Sequence, residues 1–276
     1  MNKKTFFPLV ILICLLPMLA GCSEKKEQLT NDLVLALKQT DPLEYKIVTT
    51  VSETYAAYSD MEERSLKSIQ NYWQNNDNYI MELISYNKDD SIASSSLDAL
   101  IGNQFYRKYN DTWQISQNVL PFDWSARILE LDKPNDYSIK KEDNSYTVIV
   151  SKEKRKAALD KQIQDAKDQE AAYLWDGEVN GASMYTSIIE ILEKSEIKEL
   201  SYTVFLDETG MAVKCISEKT FQTFTFQENA SQDNEDYVPV TIVSISTWEL
   251  KGKDSSQVSD KFKEINSEIQ EQLYNE

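Results

Sequence analysis

"KELSYTVFLDETGMAVKCISEKTFQTFTFQ", residues 198–227, decides the fold class. Both halves are rich in β-branched and aromatic residues. Between them stands Asp207-Glu208-Thr209-Gly210, a hairpin turn in which Gly210 supplies a positive φ. Strands joined by so short a turn are antiparallel, because a parallel crossover needs a dozen or more residues. The phenylalanines at 221, 224 and 226 change parity, which predicts a bulge.

The same grammar extends in both directions. Downstream, "PVTIVSISTWEL" (239–250) alternates Val240, Ile242 and Trp248 with Val243 and Ile245, so the strand is expected to be covered on both faces. Upstream lie "YKIVTTVSE" (45–53), "SLKSIQNYW" (65–73) and "NYIMELISY" (78–86), with Tyr45, Ile47, Thr49 and Val51 on one side of the first and Tyr79, Met81 and Leu83 on one side of the third. "SIASSSLDALI" (91–101) is ambiguous. "QFYRKYNDTWQIS" (104–116) reads as a hairpin turning at Asn110-Asp111, with Trp113 and Ile115 opposite Phe105 and Arg107. Two more strands are expected at 137–141 and 145–151, joined by Glu142-Asp143-Asn144, which makes about eleven in all.

Helical patterns punctuate the strands. Residues 30–40 place Leu33, Ala36 and Leu37 on one face, with Thr30 or Asn31 as cap. A short helix is expected at 121–131. From Lys152 the chain becomes charged and alanine-rich, with a stripe of Leu159, Ile163, Ala166 and Tyr173. Residues 183–194 form a greasier helix, with Met184, Ile188, Ile191 and Leu192 on one face and Tyr185 and Ile189 beside them. A last helix from about Ser255 repeats Val258, Phe262, Ile265, Ile269 and Leu273. The expected class is α+β: a single curved antiparallel sheet with an N-terminal helix, a helical insertion at about 152–195 and a C-terminal helix.

The first 21 residues have the three parts of a secretory signal: Lys3 and Lys4, the apolar run Phe6–Met18, and the small-residue end Leu19-Ala20-Gly21. The run is shorter than the ~20 apolar residues a membrane span needs. Leu19-Ala20-Gly21-Cys22 resembles the lipobox of bacterial lipoproteins. That resemblance implies cleavage before Cys22, a diacylglycerol thioether on its thiol and usually a further acyl chain such as palmitate. It implies an extracytoplasmic domain held on the bacterial cell membrane by two or more chains, each buried methylene being worth about 0.8 kcal/mol. The expected organisation is a signal peptide at 1–21, lipidated Cys22 and a polar tether over 22–28, and one half-barrel-like domain over 29–276.

Removing Lys3 and Lys4 and no acid takes the net charge from −17 to −19, which repels nucleic acid and anionic headgroups. Attachment to the membrane is therefore expected from the acyl chains. Of three cysteines, Cys14 leaves with the signal and Cys22 takes lipid, so Cys215 remains alone, without a disulfide partner, as a small buried side chain.

No histidine occurs, which removes the commonest general base and zinc ligand and every Ser-His or Cys-His arrangement. Six glycines leave no phosphate loop and no G-x-G-x-x-G, and neither a cofactor nor a metal is expected. No pair of the many carboxylates stands out as catalytic. The acidic loop with Asp233, Glu235 and Asp236 lacks the spacing of a calcium loop and reads as solvated charge.

The strand order resembles the lipoprotein-localisation-factor fold, called LolA/LolB-like. The resemblance is carried by the helix leading into the first strand (Leu33 to Val51), the hairpin from Gly102 to Ser116 and "YTVFLDETGMAVKC" (202–215). It implies an incomplete antiparallel barrel wrapped around helices, with an apolar cavity for acyl chains. The long charged insertion and the C-terminal helix depart from that family. Candidate ligand-binding residues are Tyr72, Trp73, Tyr79, Phe105, Trp113, Trp124, Ile188, Phe205, Phe224 and Trp248, which either line such a cavity or fill a core. The helix at 183–194 is the candidate lid. Two functions follow: a non-enzymatic carrier of an apolar ligand or lipid, or an interaction or sensing module with a filled core that holds an envelope protein.

Overall fold

The computed structural model describes residues 25–37, 43–55, 64–75, 78–109, 111–116, 134–175, 177–226, 237–252 and 255–274. Helix α1 covers 25–37. Among the described residues there are eleven strands: β1 Leu43–Tyr55, β2 Arg64–Asn75, β3 Asn78–Tyr86, β4 Ile92–Ile101, β5 Gln104–Tyr109, β6 Thr112–Ser116, β7 Tyr137–Glu142, β8 Ser145–Val150, β9 Glu196–Leu206, β10 Ala212–Phe226 and β11 Tyr237–Gly252. Helices α2 (Lys152–Trp175) and α3 (Val179–Lys194) separate β8 from β9, and α4 (Ser255–Tyr274) follows β11. The helix expected at 121–131 and the acidic loop at 233–236 lie outside the described residues.

All eleven strands form one antiparallel sheet in the order β6-β5-β4-β3-β2-β1-β11-β10-β9-β8-β7, not closed between β6 and β7. Two meanders, β1–β6 and β7–β11, are joined only where β1 pairs with β11. The fold is thus the α+β, single-sheet architecture expected. The β9–β10 turn is fixed by Asp207, whose Oδ1 accepts the backbone N–H groups of Thr209 (2.9 Å) and Met211 (3.0 Å), while Gly210 takes φ +83°.

Several local expectations are corrected. The β5–β6 turn is two residues long and pairs Tyr109 with Thr112, so Trp113 faces Lys108 and Ile115 faces Tyr106, one residue out of the expected register. The bulge falls between Thr220 and Phe221 against β9. Against β11 the register of β10 is unbroken there, so Phe221 and Phe224 simply point to opposite faces. Strand β11 is not covered on both sides, for Val243 and Ile245 are 36% and 41% exposed. Residues 25–37 are all helical, which puts Thr30 inside α1 rather than at its cap. Its hydroxyl bonds Lys26 O (2.9 Å) and the Tyr137 hydroxyl (2.7 Å).

The curl of the sheet follows from α1. Leu29, Leu33 and Leu37, four residues apart, form its apolar stripe. They share one core cluster with Tyr72 and Met81 of β2 and β3, Trp248, Cys215 and Val204 of β9–β11, and Tyr146, Val148 and Tyr137 of β7 and β8. Strands β3 and β7 are seven steps apart in the sheet, about 34 Å if it were flat. One core cluster built on a helix about 10 Å across includes both only if the sheet wraps around it. The face carrying these residues is therefore concave, and α1 fills one end of the half-barrel. Lys26 ties it to the β7 edge, donating to Tyr137 O and lying 4.6 Å from that ring's centroid.

Helix α4 covers the opposite, convex face at the β2–β6 end. Its Phe262, Ile265, Ile269 and Leu273 pack on Trp73, Ile80, Ala99, Tyr106 and Trp113. Glu268 accepts bonds from Lys108 Nζ (3.0 Å) and Trp113 Nε1 (3.1 Å), and Gln272 Oε1 accepts the Trp113 backbone N–H (2.9 Å).

Helices α2 and α3 form a hairpin against β9 and β10. Gly181 lets them close up, since a Cβ there would lie 2.4 Å from the Tyr173 ring. Tyr173 in turn stacks on Tyr185 at 5.5 Å. Arg155 donates to the carbonyls of Val150 and Ile197 (3.0 Å to the latter), and Ser195 Oγ lies 2.9 Å from Thr223 Oγ1. The buried residues of α3 are Ala182 and Ile189, whereas Met184 of the expected apolar face is exposed. The hairpin tip leaves Leu174, Trp175 and Val179 exposed, Trp175 to 91%.

Candidate functional site

Residues alternate between the two faces of every strand, so the pairing register names each residue on the concave face. Proceeding along the strands away from α1, successive rungs of that face change character. The first, Val204-Cys215-Trp248-Ile47-Gln70-Leu83, is mostly apolar, and its β9–β11 members are buried beneath α1. Cys215 sits here, its thiol pushed up to about 12 by burial, which leaves it a protonated, inert side chain.

The next rung is made of hydroxyls. Tyr202, Ser217, Ser246, Thr49, Ser68, Ser85 and Ser94 stand side by side across seven strands. Thr49 Oγ1 and Ser246 Oγ are hydrogen-bonded at 2.9 Å. The third rung is Leu200-Lys219-Ser244-Val51-Leu66. Lys219 is half-buried, with its Nζ 5.1 Å from the centroid of the Phe221 ring, and burial pushes its ammonium below the ordinary lysine range. Among the described residues it has neither an ion pair nor a hydrogen bond. Phe221, Ile197 and Ile242 lie beyond it, toward α3.

The filled and unfilled parts of this face differ in exposure. Beneath α1, Leu33 and Val204 are 0% exposed. Past the hydroxyl rung, Leu200, Val51, Ile242 and Phe221 remain partly accessible, and Leu66 is 53% exposed although it points to the inside of the curl. The inner face therefore offers apolar surface that none of the described helices covers.

Toward β5 the concave face carries a different group. Asp98 is 3% exposed and takes a two-pronged bond from Arg107, Nε to Oδ1 at 2.8 Å and Nη2 to Oδ2 at 2.9 Å. Asp98 raises the Arg107 pKa in return, by hydrogen bond first and charge second. Burial, reinforced by the Asp98 charge, raises Tyr79. With both carboxylate oxygens engaged, this is a structural pair rather than a general base.

The candidates read from sequence fall on both faces. Tyr72, Tyr79, Phe105 and Trp248 are concave; Trp73, Trp113, Phe205 and Phe224 are convex. Tyr72 and Trp73 are chain neighbours in one strand and must diverge. Trp73 and Trp113 lie under α4, where Lys261 reaches over the Trp73 ring at 5.4 Å. Lys214 sits 5.6 Å from the Phe205 ring on the convex side. Ile188 is half-buried on α3, and Trp124 and Cys22 lie outside the described residues. No one cavity gathers all of these side chains. Leu66, Lys219 and the hydroxyl rung escaped sequence reading because serines and one lysine in a strand look like its solvent side until the face is known.

Among the described residues, no helix is long and apolar enough to cross a membrane, and no group of three acids or cysteines is placed to hold a metal ion. No protein-family model matches the chain, and no curated protein matches it. Solved structures similar to it include LprF from Mycobacterium bovis, 13% identical with a TM-score of 0.28, covering 80% of this chain and 91% of that one. A beta-barrel-like DUF1849 protein from Brucella abortus is 7% identical with a TM-score of 0.26, covering 78% and 100%. A DUF1329 family protein from Desulfovibrio piger is 7% identical with a TM-score of 0.23, covering 86% and 95%.

Proposed function

We propose that the chain is a lipid-anchored extracytoplasmic lipoprotein, non-enzymatic, that takes up an apolar ligand or lipid on the concave face of its half-barrel. The observation that carries the reading is the accessible apolar surface inside the curl, with Leu66 as its most exposed member. Concave apolar surface is the usual seat of small-ligand binding. The lipobox supports the anchor. Residue 25, already helical in α1, is close in sequence to Cys22.

The test is native mass spectrometry and solvent extraction of the mature chain, residues 22–276 with Cys22→Ser, purified without detergent. A discrete extra mass that extracts as lipid is expected. An apo mass that stays unchanged after incubation with envelope lipids would refute the carrier reading. On cells, Cys22→Ser is expected to abolish palmitate labelling and release the protein from the membrane fraction.

One observation favours the second reading, an interaction module. The α2–α3 tip presents Leu174, Trp175 and Val179 to solvent, and exposed tryptophans anchor interfaces. Cross-linking from position 175 on cells, with capture of one discrete envelope protein, would support it.

A further inference from the structure

A purely apolar acyl groove has no use for a rung of hydroxyls, and still less for a lysine without a counter-ion among the described residues. A desolvated ammonium is costly unless an anion meets it. On the concave face Lys219 shares its rung with the accessible apolar side chains Leu200, Val51 and Leu66, and the hydroxyl rung (Ser217, Ser246, Thr49) is the next one along the strands. The two rungs are about 7 Å apart, the advance of two strand residues. A rung of polar donors thus adjoins a rung that sets one cation beside apolar surface, on the scale of an amphiphile's head and the start of its chain.

We propose that Lys219 docks the acidic head of an amphiphilic ligand, a carboxylate or phosphate bearing an apolar chain, with the hydroxyls of Ser217, Ser246 and Thr49 beside the head. This rests on the ligand-binding reading above and specifies its chemical class. The ammonium supplies the charge-assisted bond and the serines supply rotatable donors. The chain lies along Leu200, Val51 and Leu66.

The experiment titrates the mature Cys22→Ser chain with three probes: oleate, oleyl alcohol and inorganic phosphate. The first two share a chain and differ in the charged head; the third is an anion without a chain. Oleate is expected to bind at least about tenfold tighter than oleyl alcohol, the scale of one charge-assisted hydrogen bond. Lys219→Met is expected to erase that preference, with oleyl alcohol changed less than twofold, and Lys219→Arg to keep it. Thermal melting checks that Lys219→Met is folded, and loss of a half-buried cation is expected to leave its midpoint unchanged or higher. If both chains bind and Lys219→Met leaves the oleate preference intact, the role of Lys219 is overturned while the carrier function stands. If neither chain binds, the carrier function itself fails. If inorganic phosphate alone competes out oleate, the site is a free-anion site and the amphiphile proposal is overturned.

Discussion

Replacing Leu33 with alanine tests whether α1 is the interior of the half-barrel. Leu33 is fully buried, in a cluster drawn from α1 and from strands at both ends of the concave face. Burying a leucine side chain is worth about 1.5–3 kcal/mol in transfer alone. The cavity left when the sheet cannot collapse onto the vacancy raises the loss to about 2.7–5 kcal/mol. The upper half of that range is expected, because β2, β8, β9 and β11 converge on the site and pairing holds each in place. At about 2–4 °C per kcal/mol for a chain of this size, the melting midpoint falls by roughly 8–20 °C. Leu35, two residues away and 58% exposed, is the control, and Leu35→Ala is expected to stay within about 0.5 kcal/mol of the parent. Urea titration followed by tryptophan fluorescence gives both values. Equal, small losses in the two variants would mean that α1 is only laid on the sheet and that the curl has another cause.

Three further outcomes are expected. Arg107→Leu leaves the Asp98 carboxylate buried without its two donors and costs about 3 kcal/mol, more than Asp98→Asn/Arg107→Leu together, which a double-mutant cycle in urea resolves; additive losses would show the pair to be uncoupled. Glu268 is held below the ordinary carboxylate range by its bonds from Lys108 and then Trp113, so its contribution is present above the unfolded glutamate value and is lost as pH falls through the lower folded one. The stability gap between the parent and Glu268→Gln should therefore be largest at neutral pH and vanish in acid, as read by urea midpoints across pH; a gap that widens in acid would invert the assignment. Cys215, buried and with its thiol pushed up to about 12, should not react with a disulfide reagent at pH 8 until the chain is unfolded by urea, and rapid reaction of the native protein would contradict its place in the core.

Local pattern carried much of this architecture. The spacing of turn residues, above all Asp207 to Gly210, made the strands antiparallel and set their number, because hairpin chemistry is decided within a few residues. The stripes of α1 and α4 were legible for the same reason: Leu33 and Leu37, or Ile265 and Ile269, lie on one face whatever they pack against. The absence of histidine and the scarcity of glycine are properties of the chain itself and need no coordinates. Alternation also told which residues of one strand share a side, as with Tyr79, Met81 and Leu83.

What alternation cannot tell is which side is the inside. That depended on β1 meeting β11, where Thr49 pairs with Ser246 across most of the chain's length, and on a helix at the N-terminal end being wrapped by strands from both meanders. One residue of register decides whether a side chain enters the curl, which is why Trp73 and Trp113 went to α4 while Tyr72 and Trp248 went to α1. Lys219 and the serines beside it looked like an ordinary wet strand face. Only the closing of long-range pairs turned that face inward and gave Lys219 its setting.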